Sequence, residues 1–260
     1  MATAAAVSEP KSSRILNVGQ FSIVHKINNK IARKEPKNKS DPINLRALEI
    51  EEQIYIHLGR HKRIARYIDC HGEHLDLHYE KNGDLQLYLA KHKTGEKYRR
   101  RVARQVIEAV QYIHHRDVIH ADLAAKQFLV DEGLNVRLSD FGGSSLHGSE
   151  AIVRERVTHF LPRDMDAPCT VQSDIFALGS TLYEICVGEL PYQGADEQEI
   201  SRLYSQGIFP SLEPVGEDWR LVIDKCWRQH YRSADEVLQD APGKPSRSLL
   251  HQVWRHFISF

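Results

Sequence analysis

The run VIHADLAAKQFLVDEGLNVRLSDFG, residues 118–142, decides how the chain is read. Two short β-type runs, Phe128–Val130 and residues 135–138, flank the turn signal Asp131-Glu132-Gly133. Asp122 stands before the pair and Asp140 after it, so a hairpin there offers both carboxylates to one cleft. One carboxylate can then accept a hydroxyl proton while the other holds a divalent metal, the division of labour that phosphoryl transfer requires.

In wording the stretch resembles the protein kinases, whose catalytic loop reads His-Arg-Asp-Leu-x-x-x-Asn and whose metal-binding turn reads Asp-Phe-Gly. This chain has His120-Ala121-Asp122-Leu123-Ala124-Ala125-Lys126-Gln127 and an intact Asp140-Phe141-Gly142. The resemblance implies that Asp122 orients and deprotonates the acceptor hydroxyl, Asp140 holds magnesium and Gln127 assists a second metal. It also implies that Lys126 steadies the γ-phosphate and that His120 packs against Phe141.

On the N-terminal side, residues 15–16, 23–27 and 31–34 have β character, with the hairpin signal Asn28-Asn29-Lys30 between the last two. Laid on the kinase glycine-rich loop, the segment reads Asn17-Val18-Gly19-Gln20-Phe21-Ser22-Ile23-Val24, in which only the middle glycine survives. Glycine lets backbone amides approach phosphate oxygens, and Asn tolerates positive φ, so Asn17 and Gly19 remain phosphate-covering candidates. Ile31-Ala32-Arg33-Lys34 matches the third kinase strand and makes Lys34 the candidate for the α- and β-phosphates. Apolar residues Ile43, Ala47, Ile50, Ile54 and Leu58 recur at helical spacing after a cap at Ser40 or Asp41. Kinases place on this helix a glutamate that pairs with the strand lysine; Glu49, Glu51 and Glu52 are available, and Glu51 fits best when Ile54, Tyr55 and Leu58 face inward.

Residues 64–70 and 75–79 read as two further strands around His71-Gly72-Glu73. The segment Tyr79-Glu80-Lys81-Asn82-Gly83-Asp84-Leu85 resembles the kinase hinge, which implies that Leu77 is the gatekeeper, that backbone groups of His78 and Glu80 face adenine, and that Val24, Ala32 and Leu129 sandwich it. Residues 97–114 carry Lys97, Arg99, Arg100, Arg101 and Arg104 along Val102, Val106, Ala109, Val110 and Ile113 at helical spacing. That pattern is a core-facing helix with a basic outer face rather than a nucleic-acid patch.

Past Gly142, residues 143–160 are rich in Gly, Ser, Arg and Glu, as in a mobile activation segment, with Ser144, Ser145, Ser149 and Thr158 as candidate phosphorylation sites. Leu161-Pro162-Arg163 stands where kinases have Ala-Pro-Glu, and Asp174 opens an apolar helix over residues 175–187. By resemblance Asp174 both caps that helix and ties it to the catalytic loop. Cys226-Trp227, followed by Arg232, resembles the last kinase subdomain.

Three departures from the family pattern carry consequences. Ala121 replaces the arginine that pairs with a phosphorylated activation segment, so activation should need no such phosphate. Gln127 offers the amide of the usual asparagine on a longer stem, which implies weaker metal binding. Arg163 replaces the glutamate that normally pairs with an arginine such as Arg232, leaving Asp164, Asp166 or a different brace.

Across all 260 residues, Lys+Arg and Asp+Glu each total 35, so no global field draws the chain to nucleic acid or to an anionic membrane. No apolar run reaches membrane-spanning length, and the four cysteines form no Cys-x-x-Cys unit, so reduced thiols of an intracellular protein are expected. His57 and His61 lack the intervening glutamate of a zinc protease and read as ordinary histidines. The expected class is α+β and bilobal: a flexible tail over 1–13, a kinase domain over 14–240 with lobes of about 14–80 and 81–240, and an extension over 241–260 with an apolar end that packs on the large lobe.

The expected activity is ATP- and Mg²⁺- or Mn²⁺-dependent phosphorylation of a protein hydroxyl, with Ser/Thr set above Tyr only because such kinases are more numerous. A nucleotide-binding pseudokinase scaffold and a small-molecule phosphotransferase of the aminoglycoside type are the alternatives. The expected partner is a protein substrate, with no nucleic acid and no membrane, for a monomer in the cytoplasm or nucleus.

Overall fold

The computed structural model describes residues 14–243. The expected tail over 1–13 and the apolar end from Leu249 lie outside the described residues. Strands β1 (Arg14–Val18), β2 (Ser22–Lys26) and β3 (Ile31–Pro36) form an antiparallel meander. The β2–β3 turn is fixed by the Asn28 side chain, which accepts from the backbone N–H of Lys30 at 2.7 Å and of Ile31 at 3.0 Å. Helix α1 (Pro42–Leu58) follows, then β4 (Tyr67–Cys70) and β5 (Leu75–His78), which complete a five-stranded sheet in the order β1-β2-β3-β5-β4.

Of the two predicted caps, Asp41 is the one used: its side chain accepts from the Ile43 N–H at 2.8 Å, with Pro42 at the first helical position. The buried face of α1 includes Ala47, Ile50, Ile54, Tyr55 and Leu58 as the spacing predicts, but Ile43 is exposed and Asn44 is buried instead. The Asn44 side chain bonds back to Asp41 and to the Asn38 N–H, and that polar closure displaces Ile43 from the core. The strand expected over 64–70 is also shorter: Ile64 instead bridges Leu138, and the Ala65 N–H donates to the Leu138 carbonyl at 2.8 Å. These residues are spent on joining the sheet lobe to the helical lobe.

That larger lobe comprises α2 (Leu85–Lys91), α3 (Glu96–His114), β6 (Val118–Ile119), β7 (Phe128–Val130), β8 (Val136–Leu138), β9 (Ser145–Leu146), α4 (Val171–Val187), α5 (Glu197–Ser205), α6 (Glu217–Trp227) and α7 (Ala234–Asp240). Two 3-10 turns, Ala125–Gln127 and Val157–His159, lie in the loops that carry the sequence motifs. As predicted, β7 and β8 form a hairpin, with Phe128 opposite Leu138.

The basic run on α3 is used for bracing. Its apolar residues Val102, Val106, Ala109, Val110 and Ile113 are fully buried. Of the cations, Arg99 donates to the Ile185 and Cys186 carbonyls, Arg104 to the Ala241 carbonyl and Arg101 to the Leu134 carbonyl. Guanidinium groups thus satisfy carbonyls at the ends of α4 and α7, which the helices themselves leave open.

Helix α4 starts earlier than the apolar pattern suggests. Thr170 caps it, in a reciprocal arrangement with Ser173, so the expectation that Asp174 is the cap is corrected. Every residue from 173 through 185 is buried, and α6 packs so closely that a Cβ on Gly179 would stand 2.7 Å from the Cys226 Cβ. Glycine is required there by the interhelical contact. Gly179→Ala is expected to cost about 1–3 kcal/mol by overpacking. Thermal unfolding checks it, and an unchanged Tm would show that α6 yields at no cost.

Candidate active site

The loop between β6 and β7 is held from beneath by Asp174, whose side chain is fully buried. Asp174 Oδ2 accepts the His120 N–H at 2.8 Å and Oδ1 the Ala121 N–H at 3.0 Å, while His114 Nε2 stands 3.0 Å away. The expected tie between α4 and the loop is therefore present, although the cap is not. Ala121 sits at φ 66°, a left-handed conformation that costs a residue with a Cβ about 1–2 kcal/mol. The two Asp174 bonds hold it there. The His120 ring packs 5.4 Å from Phe141, centroid to centroid, and Phe141 also meets Tyr55 of α1 edge-on at 5.2 Å.

Beyond that turn the candidate acid–base group, Asp122, is partly open, with 22% of its side chain exposed. Gln127 Nε2 donates to Asp122 Oδ2 at 2.5 Å, and the Lys126 ammonium stands 3.2 Å from the same oxygen. Gln127 is buried, and Ser139 fixes its backbone: both the Ser139 N–H and Oγ donate to the Gln127 carbonyl at 2.9 Å. An amide that gives its N–H to Asp122 keeps its carbonyl oxygen for a hard cation.

Across the cleft, Lys34 of β3 bonds to Glu51 of α1 and, at 2.5 Å, to Asp140 Oδ1. Glu51 is therefore the partner among the three sequence candidates; Glu49 is exposed and pairs with Arg46. The Glu51 side chain is 1% exposed and that of Asp140 50%, so one carboxylate is sealed in and the other faces the cleft. Burial pulls the Lys34 ammonium down, but Asp140 and Glu51 together push it above its ordinary value, so it stays charged. Lys34 holds the Asp140 carboxyl below its usual range, while burial raises that of Glu51 against the pull of Lys34. Asp140 adopts φ 69°, and a Cβ on the following Gly142 would meet the Ala47 carbonyl at 3.2 Å and Glu51 Oε2 at 3.3 Å. Only a small residue lets that turn close on α1.

Ala32 and Leu77 lie side by side, paired in register on β3 and β5, and Leu129 bridges Asp84 at the end of the hinge. The His78 N–H is taken by the Arg66 carbonyl and the Glu80 carbonyl by the Gly83 N–H. Asn17 lies in β1, paired with Val24, and Gly19 closes the β1–β2 turn by donating to the Ser22 carbonyl at 2.8 Å. Neither has a positive φ, so this turn makes no use of the conformational freedom that the sequence reading weighed.

The activation segment is braced by a pair that the sequence did not reveal. Arg163 Nη2 donates to Glu155 Oε2 at 2.8 Å, with the carboxylate fully buried. This answers the like-charge problem with Arg232, because Arg163 finds its carboxylate within the segment, at neither Asp164 nor Asp166. His159, also buried, stands 2.7 Å from Glu184 of α4, whose Oε1 also accepts the Ala125 N–H at 3.4 Å. A glutamate inside the apolar run 175–187 was a visible anomaly that could have marked this contact; Glu155, in a charged stretch, gave no such signal. Ser144, Ser145 and Thr158 are buried, which corrects their standing as candidate phosphorylation sites, and Ser149 is exposed.

His57 bonds to the Arg116 carbonyl and His61 stacks on Tyr112, and no group of three or more potential metal-ligating His, Cys, Asp or Glu side chains occurs among the described residues. No described helix is long and apolar enough to cross a membrane.

Residues 12–235 match the family model described as protein tyrosine and serine/threonine kinase. Similar proteins include a serine/threonine-protein kinase SIK3 homolog of Danio rerio, 28% identical over 75% of this chain and 18% of that protein. A probable serine/threonine-protein kinase of Dictyostelium discoideum is 27% identical over 85% of this chain and 26% of its own length. The CBL-interacting protein kinase 15 of Oryza sativa subsp. japonica is 29% identical over 75% of this chain and 50% of that protein. The chain thus spans half or less of the length of these relatives.

Two outcomes follow from the buried charges. Arg163→Glu sets a second carboxylate against buried Glu155 and is expected to cost about 3–5 kcal/mol, partly recovered in the double exchange Glu155→Arg with Arg163→Glu; urea unfolding of the three proteins reads this. Lys34→Met removes the charge that opposes the upward shift of Glu51. A carboxyl whose folded value lies above its unfolded one binds more protons when folded, so stability falls as pH rises past the unfolded value of about 4.3. The variant should therefore lose stability against the parent between pH 4 and 7, and parallel curves would refute the assignment.

Proposed function

The chain belongs to the protein kinase family, and from that premise we infer that it is a working enzyme that phosphorylates a protein hydroxyl, Ser/Thr in preference to Tyr. The observation that supports catalysis most is the hydrogen bond from Gln127 to Asp122. The substituted amide, longer by one methylene, still reaches the candidate base and still has an oxygen for a cation. Two of the three relatives are named serine/threonine-protein kinases, which supports the choice of acceptor.

In this reading Asp122, aligned by Gln127, accepts the proton of the acceptor hydroxyl. Lys126 keeps positive charge beside the same carboxylate, where charge develops on the transferring group. Lys34, kept protonated by Glu51 and Asp140, positions phosphate oxygens, and the half-exposed Asp140 together with the Gln127 carbonyl forms an all-oxygen donor set suited to Mg²⁺ or Mn²⁺. Val24, Ala32, Leu77 and Leu129 enclose an adenine whose polar edge meets backbone groups of His78 and Glu80, and the β1–β2 turn at Asn17 and Gly19 covers the phosphates. ATP supplies the phosphoryl group when bound. The partner implied is a protein substrate, acted on by a monomer in the cytoplasm or nucleus.

Incubation with radiolabelled ATP, a generic protein substrate and Mg²⁺ or Mn²⁺ tests the reading. Asp122→Asn should reduce transfer by about 10²–10⁴-fold, and Gln127→Asn should lower the divalent concentration needed for half-maximal rate. Transfer that is indifferent to Asp122→Asn would sink the enzyme reading; nucleotide binding without transfer would favour a scaffold.

A further inference from the structure

Beside the hinge lies a second cavity, of about 760 Å³, lined by Lys26, Asn29, Lys30, Arg66, residues 78–81, residues 131–133 and Arg137. It shares the hinge residues His78 and Glu80 with the candidate catalytic cleft, but none of Val24, Ala32, Leu129, Asp122 and Asp140 lines it. The volume lies within the range of ligand-binding clefts. The β2–β3 turn and the approach to β4 form one side, and the β7–β8 turn the other.

Its charges are unevenly matched. Arg137 stands 3.6 Å from Glu80 and 3.3 Å from Asp131, and Lys81 stands 3.1 Å from Glu132. Those contacts use all three carboxylates of the lining. Lys26, Lys30 and Arg66 remain with no carboxylate within 4.0 Å among the described residues, and the Lys26 ammonium lies 4.4 Å from the Tyr79 ring centroid. Three cations without counter-ions among the described residues thus line one cavity in a chain whose formal charge is zero.

We propose that this cavity docks an acidic peptide segment of a partner protein. The unpaired cations meet its carboxylates, and the Tyr79 ring offers an apolar surface beside them. A uniform polyanion such as nucleic acid fits less well, because Glu80, Asp131 and Glu132 repel it along the large-lobe wall. A peptide can place acidic side chains on one wall and neutral groups on the other. Such a segment touches both lobes and the hinge between them, so its binding couples to how the lobes sit around the cleft. The proposal does not depend on phosphoryl transfer.

A fluorescein-labelled decapeptide of alternating Glu and Ser, titrated into the full chain and followed by anisotropy, tests it. Saturable binding is expected, weakened at least about tenfold by Lys30→Glu with Arg66→Glu and by a rise in ionic strength beyond the Debye regime of physiological salt. Both residues are exposed, and an unchanged Tm confirms that the double variant is folded. Asp122→Asn should bind the peptide as the parent does, which separates failure here from failure of the enzymatic reading. Equal binding by the parent and the double variant overturns the proposal. So does equal binding of a Lys/Ser peptide, or displacement by a single-stranded oligonucleotide of the same charge at the same concentration as the unlabelled peptide.

Discussion

One ammonium joins the parts on which everything else turns. Lys34 comes from β3, Glu51 from α1 and Asp140 from the turn after β8, and the three meet only when the sheet, the helix and the large lobe are docked. A buried carboxylate such as Glu51 loses much of its hydration, and the pair with Lys34 offsets that loss without adding large net stability. What the arrangement provides is specificity. Sliding α1 along the sheet would leave Glu51 uncompensated in a sealed site, and flipping the 140–142 turn would remove the second carboxylate from Lys34. Phe141, wedged between Tyr55 and His120, and Gly142, close against Ala47, restrict the same turn sterically.

The large lobe has its own fixed point in Asp174. A carboxylate with no exposure, rooted in a buried helix, accepts two consecutive backbone N–H groups and so dictates the path of the loop that presents Asp122. Ala121 is held left-handed by those bonds, which accounts for a side chain at a conformation more natural to glycine or asparagine. From that loop, Gln127 reaches Asp122 and Ala125 reaches Glu184, and Glu184 stands against His159 of the activation segment. Helix α4 therefore connects to both loops of the cleft by polar contacts buried in an otherwise apolar environment, where each unpaired group would be costly.

Much of this was legible in the chain. The β2–β3 turn, the hairpin after Asp122 and the apolar faces of α1 and α3 follow from local patterns whose spacing matches strand, turn or helix, and the candidates Lys34, Glu51, Asp122 and Asp140 follow from the resemblance of their segments to protein kinase motifs. The misreadings share one cause. Ile43 fits the apolar period of α1 but is exposed, because Asn44 closes on Asp41 and Asn38. Residues 64–65 have strand character but pair with Leu138 across the lobes. The basic outer face of α3 is as read, but its use was not legible: Arg99, Arg101 and Arg104 satisfy carbonyls of distant elements. Each outcome was set by a partner remote in the chain, which periodicity does not encode.

The sequence by itself determined the family, the α+β class that the family implies and the candidate charged side chains of the cleft, because the order of its motifs resembles that of the protein kinases. Tertiary structure decided that Glu51, the glutamate that fitted best in sequence, is sealed against Lys34 while Glu49, two residues earlier on the helix, is exposed. It also decided how Arg163 is neutralised. In sequence Arg163 is an arginine where a carboxylate is expected; in the fold, Glu155 is brought to within 2.8 Å of it and buried with it. A buried charge must be paired, but only the path of the chain specifies by whom.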